Sequence, residues 1–282
     1  MSKFHVWFTC LILMLTSACA TSTPSPTPTK PVETATPTAS ATLTAPPTLT
    51  ASPTETMTAT PHPETAPVLA PIAVQFVTNG SREKPYVALT FDVCQIPEYP
   101  AGFAPQIVET LQRYQAPATF FMGGDWMRTH PTETLQLAAD SRFELGNHSW
   151  SHPDFRALTR AEMDDEIVRA QDMLYKLTGR ESSLFRLPYG YYNNETLDVI
   201  ATHGLPIIQW DVETGDPDPN LQAEAIQRGV QQSVQTGSII IMHANGRGWH
   251  TAEALPGIIE YLQGQGYTLV TVSQLLGLAP VP

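Results

Sequence analysis

The feature that most constrains the fold of this chain is a regular alternation of strand-like and helix-like runs between residues 68 and 282. The predicted strands are residues 87–91, 118–122, 143–146, 184–187, 206–210, 238–242 and 268–272. The predicted helices are residues 103–114, 132–139, 159–178, 194–202, 221–234 and 252–263. Strands alternating with helices are typical of a parallel sheet with crossover helices. We therefore predict an α/β fold, a single distorted (β/α)7-type barrel, rather than two domains.

Residues 1–20 have the pattern of an export signal. An apolar run at residues 6–15 follows Lys3 and is too short to span a bilayer. Ala18-Cys19-Ala20 fits a small-x-small cleavage site, whereas residues 15–19 resemble a lipobox in which Cys19 would be lipidated. We favour the lipoprotein, because a long tether follows directly. The chain is thus expected to be exported to the cell envelope and anchored at Cys19, or otherwise secreted.

Residues 21–67 are mostly Thr, Pro, Ser and Ala, with few aliphatic residues to build a core. Chains of this composition stay extended and act as spacers, so we predict a disordered linker before a folded domain at 68–282. The net charge of −12 and the lack of a basic run argue against nucleic acid as a partner. Only Cys94 lies in the folded domain, so no internal disulfide is possible there. We expect a monomer that meets the membrane only through Cys19.

Polar side chains follow the predicted strands at their carboxyl ends. They are Asp92 after the first strand, His148 and His152 after the third, Arg186 at the end of the fourth, Asp211 and then Asp216 after the fifth, and His243 after the sixth. The carboxyl ends of the strands are where β/α barrels build their active sites. We therefore expect most of these side chains to share one rim.

His148 and His152 suggest the chemistry of that rim. Imidazole is the commonest side-chain ligand for zinc-like metals, and here the pair stands in a predicted turn rather than on a helix. A metal at this pair would polarise a carbonyl and lower the pKa of a bound water. Asp92 could then take a proton from the water and His243 could give one to the leaving group, which is metal-assisted hydrolysis.

Five segments also resemble one known family, the polysaccharide deacetylases with the NodB homology domain (carbohydrate esterase family 4), over roughly residues 86–276. In order they are Thr90-Phe91-Asp92, His148-Ser149-Trp150-Ser151-His152, Arg186-Leu187-Pro188-Tyr189, Glu213-Thr214-Gly215-Asp216 and Ile241-Met242-His243. The resemblance implies a distorted barrel that removes acetyl groups from N-acetylglucosamine units of a peptidoglycan-like or chitin-like polymer. It also implies a divalent metal, zinc first, with cobalt, nickel or manganese as alternatives.

The resemblance also implies residue roles. Asp92 would be the base, held by Arg186, and His243 the acid, tuned by Asp216. His148 and His152 would bind the metal. The backbone near Tyr189 would help to hold the oxyanion. The residues expected to bind the sugar are Tyr189, Trp150, Tyr191, Asn245 and Trp249, most of them aromatic rings with flat apolar faces.

Two departures from the family pattern leave alternatives open. The family has a third metal ligand, an aspartate, where this chain has Val93. Asp92, Cys94, Glu98 or Asp125 could replace it, or water could complete a two-histidine site. Pro217 stands where the family usually has tryptophan, which removes an aromatic wall of the pocket. The alternatives to a polysaccharide deacetylase are therefore a carbohydrate-binding pseudoenzyme and a metal-dependent amidase acting on small amides.

Overall fold

A computed structural model describes residues 75–96 and 101–281; the predicted signal segment and the predicted linker lie outside this range. The strands are β1 Phe76–Val77, β2 Tyr86–Val93, β3 Ala118–Met122, β4 Phe143–Asn147, β5 Ile207–Ile208, β6 Val212–Glu213, β7 Ile239–His243 and β8 Thr268–Val270. The helices are α1 Pro105–Arg113, α2 Gly124–Thr129, α3 Pro131–Ala139, α4 Arg160–Thr178, α5 Asn194–Thr202, α6 Ala223–Ser233, α7 Thr251–Gly264 and α8 Val272–Leu275. Within the described residues no helix has the length and apolarity needed to cross a membrane.

Strand β2 lies at the centre of a parallel sheet. β7 pairs with it along one side, from Ala88 to Asp92. On the other side, β3 pairs with its carboxyl-terminal half and β8 with its amino-terminal half. β3 continues to β4, so the order along the sheet is β4-β3-β2-β7-β6. The sheet is parallel throughout, as the alternation of strands and helices predicted.

Single-residue bridges join the two edges of this sheet into a distorted ring. Phe185 forms parallel bridges with Asn147 at the end of β4 and with Ile207 in β5. The chain then runs through residues 207–213 into β6, which pairs with β7. Among the described residues the ring therefore has six segments and not the predicted seven, because β8 pairs with the first residues of β2 beside β3 and is not a separate segment of the ring. The predicted strand at 184–187 contributes only the Phe185 bridge, and the sequence did not predict β1 or β6.

Alternation along β2 separates the core outside the ring from its interior. Leu89, Phe91 and Val93 belong to the large apolar cluster that β2 shares with the surrounding helices, where Phe91 stacks on Phe120 with ring centroids 5.2 Å apart. Thr90 and Asp92, one residue out of phase, point to the other face because successive strand side chains alternate. The apolar spacing of β2 therefore places a buried carboxylate inside the ring.

Candidate active site

Asp92 and Arg186 form a buried ion pair at the carboxyl end of the ring. Arg186 Nη1 donates to Asp92 Oδ1 at 2.7 Å, and the guanidinium also donates to the carbonyls of Ile208 and Gln209. Burial raises the pKa of Asp92, but the charge of Arg186, followed by His148 and His243, outweighs burial and leaves the pKa below its ordinary value. Asp92 is therefore an ionised carboxylate held in one orientation.

His148 has a defined tautomer. Its Nδ1 lies 2.9 Å from the carbonyl oxygen of Arg186, which can only accept, so Nδ1 carries the proton and Nε2 presents its lone pair. Nε2 is buried and lies 3.5 Å from Asp92 Oδ2 without making a hydrogen bond. Burial lowers the pKa of this ring below its ordinary value, which favours its neutral form. A neutral imidazole with a bare nitrogen is the form that binds metal.

His152 completes the pair from an unusual backbone position. His152 and Ser149 both have left-handed φ angles, 60° and 64°, a conformation that non-glycine residues adopt only when their surroundings enforce it. His152 Nδ1 is buried and has no hydrogen-bond partner among the described residues. Burial, followed by the charge of His148, lowers the pKa of His152 well below its ordinary value. The two rings meet at an angle of 70° with centroids 4.8 Å apart.

Glu166 on α4 enforces this loop geometry, and its role was not predicted from the sequence. Its Oε2 accepts the backbone N–H groups of Trp150 and Ser151 at 2.9 and 2.7 Å, and its Oε1 accepts the Ser151 hydroxyl at 2.7 Å. Helix α4 begins at a capping box of Thr159 and Glu162, as the sequence predicted. The loop with both histidines is therefore tied to a well-capped helix.

Cys94 lies beside the two histidines. Its Sγ, a nitrogen of His148 and a nitrogen of His152 all lie within 4.8 Å of one another. Burial, followed by the charge of Asp92, raises the pKa of the thiol to about 12, while Arg247 and Asn245 act in the opposite direction. Two nitrogens and one sulfur are donor types that zinc and similar cations favour. This cluster therefore fits the metal that the resemblance implies.

Asp216 binds His243 at two atoms on the other side of Asp92. Asp216 Oδ1 accepts from His243 Nδ1 at 2.9 Å, and Oδ2 accepts the His243 backbone N–H at 2.8 Å. Thr251 Oγ1 donates to the same carboxylate at 2.5 Å and Thr214 Oγ1 at 3.1 Å. Burial lowers the pKa of His243, but Asp216, followed by Asp92, outweighs burial and leaves it above its ordinary value. The imidazole is therefore held in place and is easily protonated.

A cleft of about 220 Å³ opens at these groups. Asp92, His152, His243 and Asp216 line one part of it, and the aromatic rings of Tyr189, Tyr191 and Trp210 line another; Glu213, Arg247 and Pro217 are also in its wall. Tyr189 packs edge-on against His152 with ring centroids 4.4 Å apart. A smaller cavity of about 140 Å³ adjoins the cleft, since both include Pro217 and Arg247, and half-exposed Trp249 borders it.

Three residues that the sequence placed at this rim do not line the cleft. Trp150 packs against the backbone of α2 and under Arg169, away from the cleft. Asn245 is buried and donates to the carbonyl of Cys94 at 2.7 Å. Asp211 binds the amide of Ile239 at the amino-terminal end of β7, opposite to the site. In each case a neighbouring element provides a partner that the strand pattern does not reveal.

The cleft also contains residues to which the sequence assigned no role, namely Trp210, Arg247 and Ile241. Arg247 is in the Gly-rich loop after β7, so its nearness to His243 in sequence was the available signal. Of the other possible third ligands, Asp125 accepts from Arg128 Nε at 2.8 Å, and Glu98 lies outside the described residues. Val93 is fully buried in the apolar cluster outside the ring.

Comparison with known proteins agrees with this arrangement. Residues 79–208 match the profile of the family described as polysaccharide deacetylase. The chain is 34% identical over 189 residues to the peptidoglycan-N-acetylmuramic acid deacetylase PdaC of Bacillus subtilis (strain 168), a match that covers 67% of this chain and 38% of PdaC. The chain spans 60% or less of the length of the first three curated relatives that it matches.

Solved structures extend the comparison to the fold. The peptidoglycan N-acetylglucosamine deacetylase Bc1960 superposes with a TM-score of 0.67 and 28% identity, covering 72% of this chain and 94% of that chain. BA3943 of Bacillus anthracis, described as a pseudoenzyme of carbohydrate esterase family 4, gives 0.64 and 28% identity, covering 73% and 69%. The solved PdaC structure is 32% identical, and the match covers 91% of it. This chain belongs to the polysaccharide deacetylase family, the NodB homology domain of carbohydrate esterase family 4.

Proposed function

We propose that residues 68–282 act as a metal-dependent hydrolase that removes N-acetyl groups from an N-acetylglucosamine-containing polysaccharide, peptidoglycan-like or chitin-like, at the bacterial cell envelope. One observation carries this proposal. An oriented carboxylate, Asp92, and an oriented imidazole, His243, are paired across adjacent strands. Beside them lie two buried histidine nitrogens that make no hydrogen bond within the described part of the chain. The relatives named as peptidoglycan deacetylases support the substrate class.

His148 and His152 would hold the divalent cation, zinc first, with cobalt, nickel or manganese as alternatives. When bound, the cation would supply Lewis acidity at the acetyl carbonyl and lower the pKa of a water molecule. The protein holds both rings in advance through the Arg186 carbonyl and the loop that Glu166 fixes. Hydrogen bonds of this kind orient metal-binding histidines and strengthen their binding.

Asp92 would act as the general base. Its lowered pKa keeps it ionised at neutral pH, and its bond to Arg186 leaves Oδ2 on the side of His148. Asp92 would take the proton of the water that attacks the acetyl carbon. Arg186 keeps the carboxylate in this orientation and makes no contact with the cleft, so it is a positioning residue. General bases placed in this way contribute rate factors of about 10²–10⁴.

His243 would act as the general acid. Asp216 accepts at Nδ1, which leaves Nε2 as the nitrogen for the substrate, and the raised pKa favours a protonated ring. His243 would give this proton to the leaving nitrogen as the C–N bond breaks, which releases acetate and a free amine on the sugar. Asp216 would position the ring and raise its basicity, and the hydroxyls of Thr214 and Thr251 donate to Asp216 in turn.

The exposed rings beside the cleft would bind the sugar. Tyr189 and Tyr191 stack on each other with centroids 5.8 Å apart and are both nearly half exposed. Flat apolar rings with polar edges suit the faces of pyranose rings. Trp249 borders the adjoining cavity together with Pro217. A polymer that fills both the cleft and this cavity would therefore contact aromatic rings in each.

A carbohydrate-binding pseudoenzyme is the second candidate function. Val93 stands where the family has a ligand, and its aliphatic side chain has no donor atom for a metal; it is buried in the apolar cluster instead. BA3943 supports this alternative, because it is described as a pseudoenzyme whose mutant has restored activity. The intact Asp92 and His243 favour the enzyme, since a binding module needs neither a base nor an acid.

The location at the envelope rests on the sequence alone. The proposal is that residues 1–20 direct export, that Cys19 is lipidated and that residues 21–67 form a spacer. Fractionation of bacteria that express the full chain tests this. We expect the protein in the membrane fraction and expect Cys19→Ala to release it to the soluble fraction. A wild-type protein that is already soluble outside the cell would instead support secretion after cleavage.

Acetate release from N-acetylglucosamine oligomers tests the activity. The full chain would be assayed as purified, after chelation, and after the addition of zinc or cobalt. The matched variants are His148→Ala, inside the site, and His203→Ala, whose ring binds Asp164 on the surface away from the cleft. We expect release that stops on chelation, returns with metal, is lost in His148→Ala and is unchanged in His203→Ala.

Other outcomes would redirect the proposal. Binding of oligosaccharides without acetate release under any metal would overturn the enzyme and support the pseudoenzyme. Turnover of small acetamides but not of oligosaccharides would support a metal-dependent amidase on the same scaffold.

A further inference from the structure

We propose that Cys94 is the third protein ligand, so that the metal site of this chain is a cysteine-histidine-histidine site. A thiolate would then take the role of the carboxylate that is missing at Val93. This inference deepens the proposed function and rests on its metal site, but it concerns the ligand set and not the reaction.

The end of β2 places the cysteine correctly. Residues two apart on an extended chain face the same side, so Cys94 follows Asp92 toward the interior of the ring, whereas Val93 is buried outside it. Asn245 donates to the Cys94 carbonyl at 2.7 Å. Gly123 packs against the other side of Cys94, where an added Cβ would lie 3.2 Å from the Cys94 Cβ. Cys94 is therefore packed between Asn245 and Gly123.

The unpartnered histidine nitrogens are the independent sign of a ligand. His148 Nε2 and His152 Nδ1 are buried and make no hydrogen bond to any described residue, although buried polar atoms nearly always have a partner. Both residues belong to the cluster with Cys94, in which one nitrogen of each ring and the Cys94 Sγ all lie within 4.8 Å of one another. Ligand atoms around a tetrahedral zinc are roughly 3.4–3.7 Å apart, so a small inward movement would complete the site.

The nearby carboxylates are less suited to be the third ligand than the Cys94 thiolate. Asp92 Oδ1 is bound to Arg186 at 2.7 Å, and Asp92 is needed as the base. Asp125 is bound to Arg128. A thiolate brings the same single negative charge as a carboxylate, and the thiol proton passes to solvent on binding. Because sulfur favours zinc or cobalt over manganese or magnesium, the proposal also predicts the selectivity of the site.

Cobalt substitution tests the proposal directly. The full chain would carry Cys10→Ser and Cys19→Ser, so that Cys94 is the one thiol in the sequence. Cobalt(II) would be added to the chelated protein while the near-ultraviolet thiolate-to-cobalt charge-transfer band and the binding isotherm are recorded. Cys94→Ser, Cys94→Asp and Asp92→Asn in the same background are compared, with circular dichroism as the check of folding.

The expected result is a charge-transfer band at one cobalt per chain. Cys94→Ser should lose the band and bind cobalt at least about tenfold more weakly. Cys94→Asp should lose the band but retain binding, and Asp92→Asn should keep the band. Stoichiometric cobalt binding without the band in the parent protein would overturn the proposal, and so would the absence of binding.

Failure of the inference and failure of the proposed function are distinguishable. Acetate release by a protein that lacks the charge-transfer band would support the deacetylase activity and overturn the proposal of a thiolate ligand. A charge-transfer band in a protein that releases no acetate would support the thiolate ligand and overturn the deacetylase activity.

Discussion

Asp92 on β2 and His243 on β7 are register partners on adjacent parallel strands. Because paired residues project from the same face of a sheet, this one register brings the candidate base and the candidate acid to the same rim. A slip of one residue in either strand would turn one of them toward the outer core. The pairing of these two strands therefore sets how far apart the Asp92 carboxylate and the His243 imidazole lie.

Replacing Asp92 by Asn should abolish most acetate release. The protein should still fold, with a lower free energy of unfolding because buried Arg186 loses its countercharge. Asparagine has nearly the same size and can still accept from Arg186, but it cannot take a proton, so kcat should fall by about 10²–10⁴. The measurements are the acetate-release rate and the circular dichroism spectrum of the metal-loaded protein. An active Asp92→Asn variant would assign the base to another residue.

Arg186→Met should strongly destabilise the protein. The guanidinium is fully buried and pairs with Asp92, and removal of one member of a buried pair costs about 3–5 kcal/mol of the free energy of unfolding. Arg142→Met is the matched control, since its pair with Asp140 is partly exposed and should contribute roughly 1 kcal/mol or less. Urea unfolding measures both. Equal small losses would mean that the buried pair does not stabilise the fold.

The pH profile should depend on Asp216. The folded-state pKa of His243 lies above its ordinary value, so the protonated acid persists below that pKa and activity falls as pH rises through it. The same pair stabilises the fold at pH below the unfolded-state pKa of histidine, and that stabilisation is lost as pH rises through the folded-state pKa. Asp216→Asn should move the alkaline limb of kcat to lower pH. An unmoved limb would show that another group controls it.

Glu166→Ala should weaken metal binding although Glu166 touches no ligand atom. Its carboxylate holds the amides of Trp150 and Ser151 between the two histidines, and loss of such support typically costs 10–100-fold in metal affinity. Glu162→Ala on the same helix is the control, because it removes only the capping contact with Thr159 and should leave affinity unchanged. Calorimetry measures the metal affinity of both variants. Equal losses of affinity would mean that destabilisation of α4, and not the contact of Glu166 with the loop, causes the effect.

Trp249→Ala should raise KM for longer oligosaccharides and leave kcat nearly unchanged. The ring is 54% exposed and borders the cavity next to Pro217, away from the reacting groups. Loss of a stacking contact of about 0.5–1.5 kcal/mol corresponds to a roughly two- to tenfold change in KM. Tyr175→Ala, an exposed ring on α4, is the control. A fall in kcat without a change in KM would contradict a role in binding.

Local patterns were enough to predict most elements. The bounds predicted from the apolar residue spacing agree closely with the observed bounds of β2, β3, β4 and β7 and of α4 and α5. The capping box at Thr159 and the glycine at Gly179 also mark the ends of α4. Such features depend on neighbours in sequence, and so they are visible without the fold. The five ordered motifs indicated the family for the same reason.

What the tertiary structure decided is which distant groups meet. Glu166, Trp150 and Asn245 received their positions from packing between elements far apart in sequence, which no strand or helix period encodes. The six-segment ring likewise depends on β8 pairing beside β3. The sequence by itself determined the family motifs and the face of β2 that carries Asp92. Only the fold brought Cys94 to His148 and His152, because a contact across the ring depends on how separate strands close upon each other.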